Sequence, residues 1–410
     1  MTTDRRTFLG TTAAGLAGMS LLPIPSFAFD RVGAPARIAV IGVGRQGREI
    51  MGELGKYEGV QVTAIADADE RRLESGIRRT TGAQGFASHK ALLEKTDLYD
   101  AVCVATPTHT HLEVAKDAIG AGVHVYCEAP LESTLERAQA LVRAARASGK
   151  VFQVGFECRS NPVYTLARSF YRSDAVRDLV NVFAQQHSKT TWRFPSNDPA
   201  RERELNWRLD PEVTLGLAGE WGSHQFDTVS WFTGRYPTSV RAFGSIRLHT
   251  DGREVADTVS CQLRYKNGVV MDYDATLANS YGGRFETLYG TNAAIKLAQT
   301  HAWMFKEADA PTQGWEVYAN RQQFHNDEGI TLIAGATKLA EQGKLREGVG
   351  LPNPPLYYAL GDFLKSVTEG AEVACSADEG YRSTVVGICA AKAVVSGEEV
   401  AIGEDLMKVS

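Results

Sequence analysis

The chain has 410 residues, 43% of them hydrophobic and 23% charged, with a formal net charge of -5. This is globular composition with length for two or three domains; it excludes a disordered chain and supplies no basic field for nucleic acid. Six cysteines are scattered at 103, 127, 158, 261, 375 and 389 with no C-x-x-C pair, which argues against a disulfide scaffold or a zinc ribbon.

Residues 1–28 read as an address. Arg5 and Arg6 precede an uncharged, small-residue stretch over 7–29, and Ser26, Phe27 and Ala28 form a small-x-Ala cleavage pattern. Together these resemble a twin-arginine export signal. The expectation is a mature chain of 29–410, carried folded by the twin-arginine machinery to the periplasm or beyond. The apolar run is short and broken by Gly15, Gly18, Pro23 and Pro25, so no stable membrane span is expected after cleavage.

A dinucleotide fold is predicted over 29–154. Residues 37–41 read as a buried strand that runs into Gly42-Val43-Gly44-Arg45-Gln46-Gly47, a G-x-G-x-x-G at a helix start. Gly42 permits the tight turn, Gly44 the approach of a pyrophosphate, and Gly47 close packing of helix on strand. The helix N-terminus then faces the anion. A second strand over 60–66 ends at Asp67, 20 residues after Gly47. An acid there suits ribose hydroxyls and favours NAD, while Arg71 and Arg72 leave NADP open. Strands over 100–105, 123–126 and 151–154 alternate with helices over 112–121 and 133–148. This is the rhythm of an α/β, doubly wound parallel sheet with its ligand at the carboxyl ends of the strands. His109 and His111 are assigned to the cofactor loop rather than to a metal, because no third ligand lies near.

Residues 155–410 change rhythm. Strand-like segments fall at 179–187, 238–248, 257–265, 269–277, 284–289 and 293–297, with Asn267-Gly268 as a hairpin turn. Helices are expected over 162–173, 220–233, 356–369 and 378–396, the last capped by Ser376. The reading is an α+β substrate and oligomerisation domain on a largely antiparallel, open-faced sheet, with a C-terminal helix packed back on the first domain. The open face predicts a homo-oligomer. The loop 188–216 carries Trp192, Trp207 and Arg208, which either hold a sugar or pack as a lid or subunit contact.

Four motifs carry a family resemblance: the glycine loop; Thr106-Pro107 with His111; Cys127-Glu128-Ala129-Pro130; and Glu220-Trp-Gly-Ser-His224-Gln-Phe-Asp227. The chain resembles the glucose–fructose oxidoreductase, inositol dehydrogenase and rhizopine-catabolism family over nearly all of its mature length. The resemblance implies a Rossmann domain followed by an open-faced sheet domain, and hydride exchange between a nicotinamide and a sugar or cyclitol carbon. A sub-branch resembles exported NAD-using glycosidases. The resemblance places Glu128 at the nicotinamide half of the cofactor. It also exposes two departures: Ala129 stands where the family has lysine, and Glu220 where it has aspartate. Alanine cannot act as acid or base, and losing such a group typically costs ~10²–10⁴-fold.

His224 is then the expected base, since imidazole titrates near neutrality. Glu220 one turn earlier would hold its tautomer, and Asp227 would share its face. A Glu/His/Asp metal site is the lesser alternative there, and no metal is assigned. Tyr164, Arg159, Lys189 and Tyr281 are weaker candidates for substrate contacts or a substitute acid, and nothing in the sequence ranks them. Cys127 is expected to be buried rather than reactive. Outside the cytoplasm no pool renews a nicotinamide. The expectation is therefore NAD (or NADP) bound before export, retained, and recycled internally on a carbohydrate substrate. Oxidation, elimination and re-reduction of a glycoside is one alternative. A catalytically impaired sugar- or NAD-binding protein, because of Ala129, is the other.

Overall fold

The computed structural model describes residues 36–409, so the predicted signal at 1–28 lies outside the described residues. Six strands form the first sheet: β1 (Ala36–Ile41), β2 (Val60–Ala66), β3 (Gln84–Phe86), β4 (Ala101–Val104), β5 (His124–Cys127) and β6 (Phe152–Val154). Their order is β3-β2-β1-β4-β5-β6 and every pairing is parallel. The order reverses between β1 and β4, which opens a crevice at their carboxyl ends. The period of two sorts β1 between two cores. Ile38 and Val40 pack with the helix Arg45–Leu54, and Ala39 and Ile41 with the helices on the opposite face.

One layer of this domain comes from far along the chain. The helix Pro355–Glu369 lays Leu356, Leu360, Phe363 and Leu364 against Ile38, Val40 and Ile50. Tyr57 stacks on Tyr357 at 4.4 Å and donates to its carbonyl at 2.6 Å. The sequence reading gave no such role to this helix.

The second sheet has ten strands: β7 (Leu179–His187), β8 (Ser239–Ser245), β9 (Thr258–Arg264), β10 (Val270–Thr276), β11 (Arg284–Gly290), β12 (Ala293–Ala298), β13 (His301–Lys306), β14 (Arg321–Gln323), β15 (Glu328–Thr331) and β16 (Val400–Ala401). The order is β14-β15-β13-β12-β11-β7-β10-β9-β8-β16, and only the β7–β10 pair is parallel. The last helix, Ala377–Ser396, spans both domains: Gly380 lies against Val154 of β6, and Gly387 against Ser223. Its predicted cap is present. The Ser376 hydroxyl accepts from the Glu379 amide, and the Glu379 carboxylate accepts from the Ser376 amide at 3.0 Å.

Two expectations change. The loop 188–216 contains a helix, Pro199–Leu205, started by Asp198 accepting from the Ala200 and Arg201 amides, with Pro199 in the first turn. The helix predicted over 220–233 begins instead as a π turn, Leu217–Trp221, which runs into Gly222–Thr233. Among the described residues no helix is long and apolar enough to cross a membrane.

Candidate functional site

The crevice is built first from the loop after β1. Gly42 has φ +92°, and a Cβ there would lie 2.5 Å from the Ala105 carbonyl oxygen of the neighbouring loop. A Cβ at Gly47 would lie 1.8 Å from the Gly42 carbonyl oxygen, so only glycine lets helix and turn pack this closely. Gly44 is different: a Cβ there would meet only the Arg72 guanidinium, at 3.5 Å, an ordinary contact. Asp67, at the end of β2, accepts from the Val43 amide at 2.7 Å and the Asp69 amide at 2.8 Å, which ties it to the glycine loop. Arg45 pairs with Glu49 on the surface at 3.2 Å. Gln46 faces the other way and donates to Glu128 at 2.9 Å. Gly47→Ala should therefore lower the melting temperature and weaken NADH binding at least tenfold, read by thermal melting and fluorescence titration; overpacking alone costs ~1–3 kcal/mol.

The loop after β4 faces that after β5. Thr106 accepts from the Thr110 hydroxyl at 2.9 Å, and the Pro107 carbonyl accepts from the same hydroxyl at 2.7 Å. His111 is buried, with one ring nitrogen 3.0 Å from the Pro130 carbonyl and the other 3.0 Å from the Thr106 carbonyl. Burial lowers its pKa, against the pull of Glu132 and of these carbonyls. The neutral ring carries one N–H and donates to one of these carbonyls at a time; buried between the two loops, His111 braces them, a structural role in place of its sequence assignment.

Glu128 is buried, and that burial pushes its carboxyl up to about 8 against the Gln46 hydrogen bond, with Glu157 adding to the rise. The folded protein therefore holds a proton that the unfolded chain releases near its ordinary value. Stability from this group is full below that ordinary value and is lost as pH rises through about 8. Glu128→Gln should match the parent near pH 5 and exceed it near pH 9 by up to ~5 kcal/mol in urea unfolding. An equal difference at both pH values would mean that Glu128 is ionised in the fold.

The second domain brings Glu220, His224 and Asp227, each with partners of its own; Glu220 lies in the π turn and the other two in the helix that follows. Glu220 accepts from the Thr108 hydroxyl at 2.9 Å and the Leu215 amide at 3.4 Å, and so holds the loop after β4. Burial raises its pKa, opposed by Arg208. Asp227 is fully buried and accepts from Arg159 Nε at 2.9 Å, Arg159 Nη2 at 2.9 Å and the Ser383 hydroxyl at 2.7 Å. Arg159 also donates to Glu379 at 2.6 Å. Asp227 and Arg159 thus weld the helix Gly222–Thr233 to the last helix; the assignments of one to catalysis and the other to substrate fail. Tyr164 fails likewise: fully buried, it donates to Glu286 at 2.9 Å and accepts from the Gln299 amide. Among the described residues no three metal-ligating side chains converge.

His224 stays in the crevice. Its ring meets the edge of Phe156 at 5.4 Å, and its buried Nδ1 has no hydrogen-bond partner. Burial and the Arg284 charge push it down to about 3, with the Ala129 backbone opposing. The expectation of an imidazole titrating near neutrality is overturned: it is a neutral acceptor. Two neighbours were missed in the sequence, Glu157 and Arg284, which pair at 3.4 Å. Arg284 also lies 3.6 Å from Glu286 and donates to the Cys158 sulfur at 3.2 Å. Burial raises the Glu157 pKa, opposed by Arg284. A carboxylate three residues after the end of β6 was the available signal.

Above the crevice, Trp192 meets Trp221 edge-on at 5.2 Å, and Trp207 meets His109 at 5.9 Å. The Arg208 guanidinium lies 4.3 Å from the Trp207 ring centre and 5.8 Å from that of Trp192. Arg208 thus packs on both Trp192 and Trp207, an arrangement common to the sugar-contact and the lid readings of this loop. Lys189 and Tyr281 stand exposed beside one turn, where the Lys189 amide donates to Ser280. Cys127 is fully buried and burial raises its pKa, as expected of an inert thiol.

A glycine-loop crevice at a strand-order reversal, faced by a second sheet domain, defines a dinucleotide-binding oxidoreductase of the two-domain Rossmann class. Residues 36–156 match the family described as "Oxidoreductase family, NAD-binding Rossmann fold", and 186–296 match "GFO/IDH/MocA C-terminal domain", together more than half of the chain. The chain belongs to the GFO/IDH/MocA family of NAD-binding oxidoreductases. Levoglucosan dehydrogenase of Pseudarthrobacter phenanthrenivorans is 25% identical over 350 residues, 78% of this chain and 84% of that protein. Inositol 2-dehydrogenase of Pseudarthrobacter chlorophenolicus is 27% identical over 249 residues, 60% of this chain and 68% of that one. In fold, the chain is similar to a levoglucosan dehydrogenase solved with NADH and levoglucosan, with TM-score 0.71, 21% identity, and coverage of 90% of this chain and 100% of that one. It is also similar to the WlbA dehydrogenase of Bordetella pertussis solved with NADH and UDP-GlcNAcA, with TM-score 0.69, 18% identity, and coverage of 90% and 99%.

Proposed function

We propose that this protein oxidises, and in reverse reduces, a hydroxyl-bearing carbon of a sugar or cyclitol with NAD(H). The observation that carries the reading is the buried, unpartnered Nδ1 of His224 beside the Ala129 backbone, at the carboxyl edge of the first sheet. The chain fits a dinucleotide: Gly42 and Gly47 admit no Cβ, a Cβ at Gly44 would meet nothing but the Arg72 guanidinium, and Asp67 stands at the end of β2. A nicotinamide bound there supplies hydride transfer. The residues of the chain do the rest. Gly42, Gly44 and Gly47 let the backbone close on phosphates, and Asp67 faces ribose hydroxyls. Gln46 fixes the orientation of Glu128, whose protonated carboxyl is a hydrogen-bond donor rather than a second negative charge. His224, neutral, accepts the hydroxyl proton at Nδ1, and Arg284 sets the field around it. Ala129 leaves no side chain for this step.

The relatives named above are dehydrogenases, and no feature of the site favours glycoside cleavage or a binding-only role. The reading includes export through the twin-arginine route, a cofactor loaded beforehand and retained, NAD preferred over NADP, and a homo-oligomer. Support for the last is the outer face of the second sheet, where Phe243 is 67% exposed beside the buried Ala242. The deciding experiment denatures purified mature protein, identifies the released nucleotide and its redox state, and then follows the reduced-nicotinamide band across a sugar and cyclitol panel. A protein that neither carries nor binds a nicotinamide dinucleotide would sink the reading.

A further inference from the structure

The amino ends of β8 and β10 and the carboxyl end of β9 meet at one end of the second sheet, where Ser239 and Val270 both pair with Arg264. β10 runs from Val270 there to Thr276, which pairs with His187 of β7; Arg284 lies across from Gln186, one residue before. The seven residues of β10, about 20 Å of strand, therefore separate this end from the Arg284 side of the crevice. A groove of about 720 Å³ opens at this end, within the usual range for small-molecule sites. It is formed by 235–238 after the helix Gly222–Thr233, the hairpin turn at 266–267, 402–408 after β16, and Arg382 of the last helix.

The charge of this groove is out of balance. Arg235, Lys266, Arg382 and Lys408 line it against one carboxylate, Glu404, although the whole chain carries -5. Lys266 stands 3.9 Å from Glu404, and both are exposed. The other three cationic side chains make no hydrogen bond or ion pair among the described residues. Arg235 follows a helix C-terminus, where a cation is favourable without any ligand. Arg382 has no such reason. It lies in the second turn of the last helix, near the end that the dipole makes positive. The carboxylate one turn before it, Asp378, is already held by Arg146. Beside Arg382 stands the part-buried Tyr236, whose pKa is raised by burial and by Asp227, with Arg159 and Arg382 opposing; its hydroxyl is a neutral donor. Met407 and the buried Ile402 extend the apolar floor that the Tyr236 ring begins.

We propose that this groove is a binding site for a phosphate monoester with a ring-sized body, separate from the dinucleotide crevice. Two guanidinium forks and two ammonium groups match the charge and the oxygens of a phosphate dianion. Tyr236, Met407 and Ile402 receive the ring. The occupant rests on the loop that leaves the helix carrying His224 and does not enter the crevice. The site stands whatever reaction the crevice performs.

Titration calorimetry on the full mature protein tests it, with NADH in excess so that the glycine loop is filled. The probes are phenyl phosphate, inorganic phosphate and phenol. Phenyl phosphate should bind once per chain, more tightly than inorganic phosphate and at least tenfold more tightly than phenol. The double variant Arg235→Gln with Arg382→Gln should weaken it at least tenfold, as expected when charge-assisted hydrogen bonds are lost, with melting temperature and NADH affinity near parental. Glu404→Gln should tighten it about two- to fivefold, because an exposed opposing charge is removed; a gain of affinity does not come from misfolding. Three results overturn the proposal: no heat from phenyl phosphate at millimolar concentration; equal affinity in the parent and the double variant; or inorganic phosphate binding as tightly as phenyl phosphate, which would leave a charged patch without a floor. A parent that binds no NADH ends the functional reading above, and the comparison of parent with double variant still decides the groove.

Discussion

Asp227→Ala is expected to cost ~3–5 kcal/mol of stability, the range found when one partner of a buried ion pair is removed. Asp227 is fully buried, and it receives both donor edges of Arg159 and the Ser383 hydroxyl. Without it the Arg159 guanidinium, itself buried, keeps only Glu379. Urea unfolding followed by circular dichroism reads the loss, and Asp227→Asn should lie between the two because one acceptor oxygen remains. The folded fraction should bind NADH as the parent does, since the network lies behind the crevice. A variant with parent-like stability and collapsed turnover would return Asp227 to the reaction.

His224→Ala has the opposite signature. Turnover should fall ~10²–10⁴-fold, the usual cost of losing a proton-transfer group, while the melting temperature and the NADH dissociation constant stay near parental. The ring is neutral because burial and Arg284 hold it at about 3. It protonates only as pH falls through that value, so the parent rate should show no inflection from His224 between pH 5 and 8. Full turnover in His224→Ala would end its assignment as the proton acceptor.

The first domain was legible because its signals are local. Glycine spacing and a strand of four apolar residues each act within a few positions, and β2 falls at the predicted 60–66. The site was legible only in part. Glu220, His224 and Asp227 have the spacing of one helix face, yet each is claimed by residues from elsewhere: Thr108, the Ala129 backbone and Arg159. The π turn that carries Glu220 has no composition signature. Glu157 and Arg284 are 127 positions apart, so their pairing exists only once β11 takes its place in the folded second domain. The short β14, β15 and β16 were missed because their ladders depend on partners rather than on their own pattern. The helix at 199 was announced by Asp198-Pro199, but the surrounding aromatics drew attention to a lid.

All six cysteines are free and buried, and burial raises each thiol above its ordinary value. No cross-link therefore contributes to the fold, and no exposed thiolate invites oxidation. The same architecture can complete itself in reducing surroundings and persist in oxidising ones without a change in covalent structure. The fold is indifferent to redox potential, although the chemistry proposed within it is an exchange of electrons.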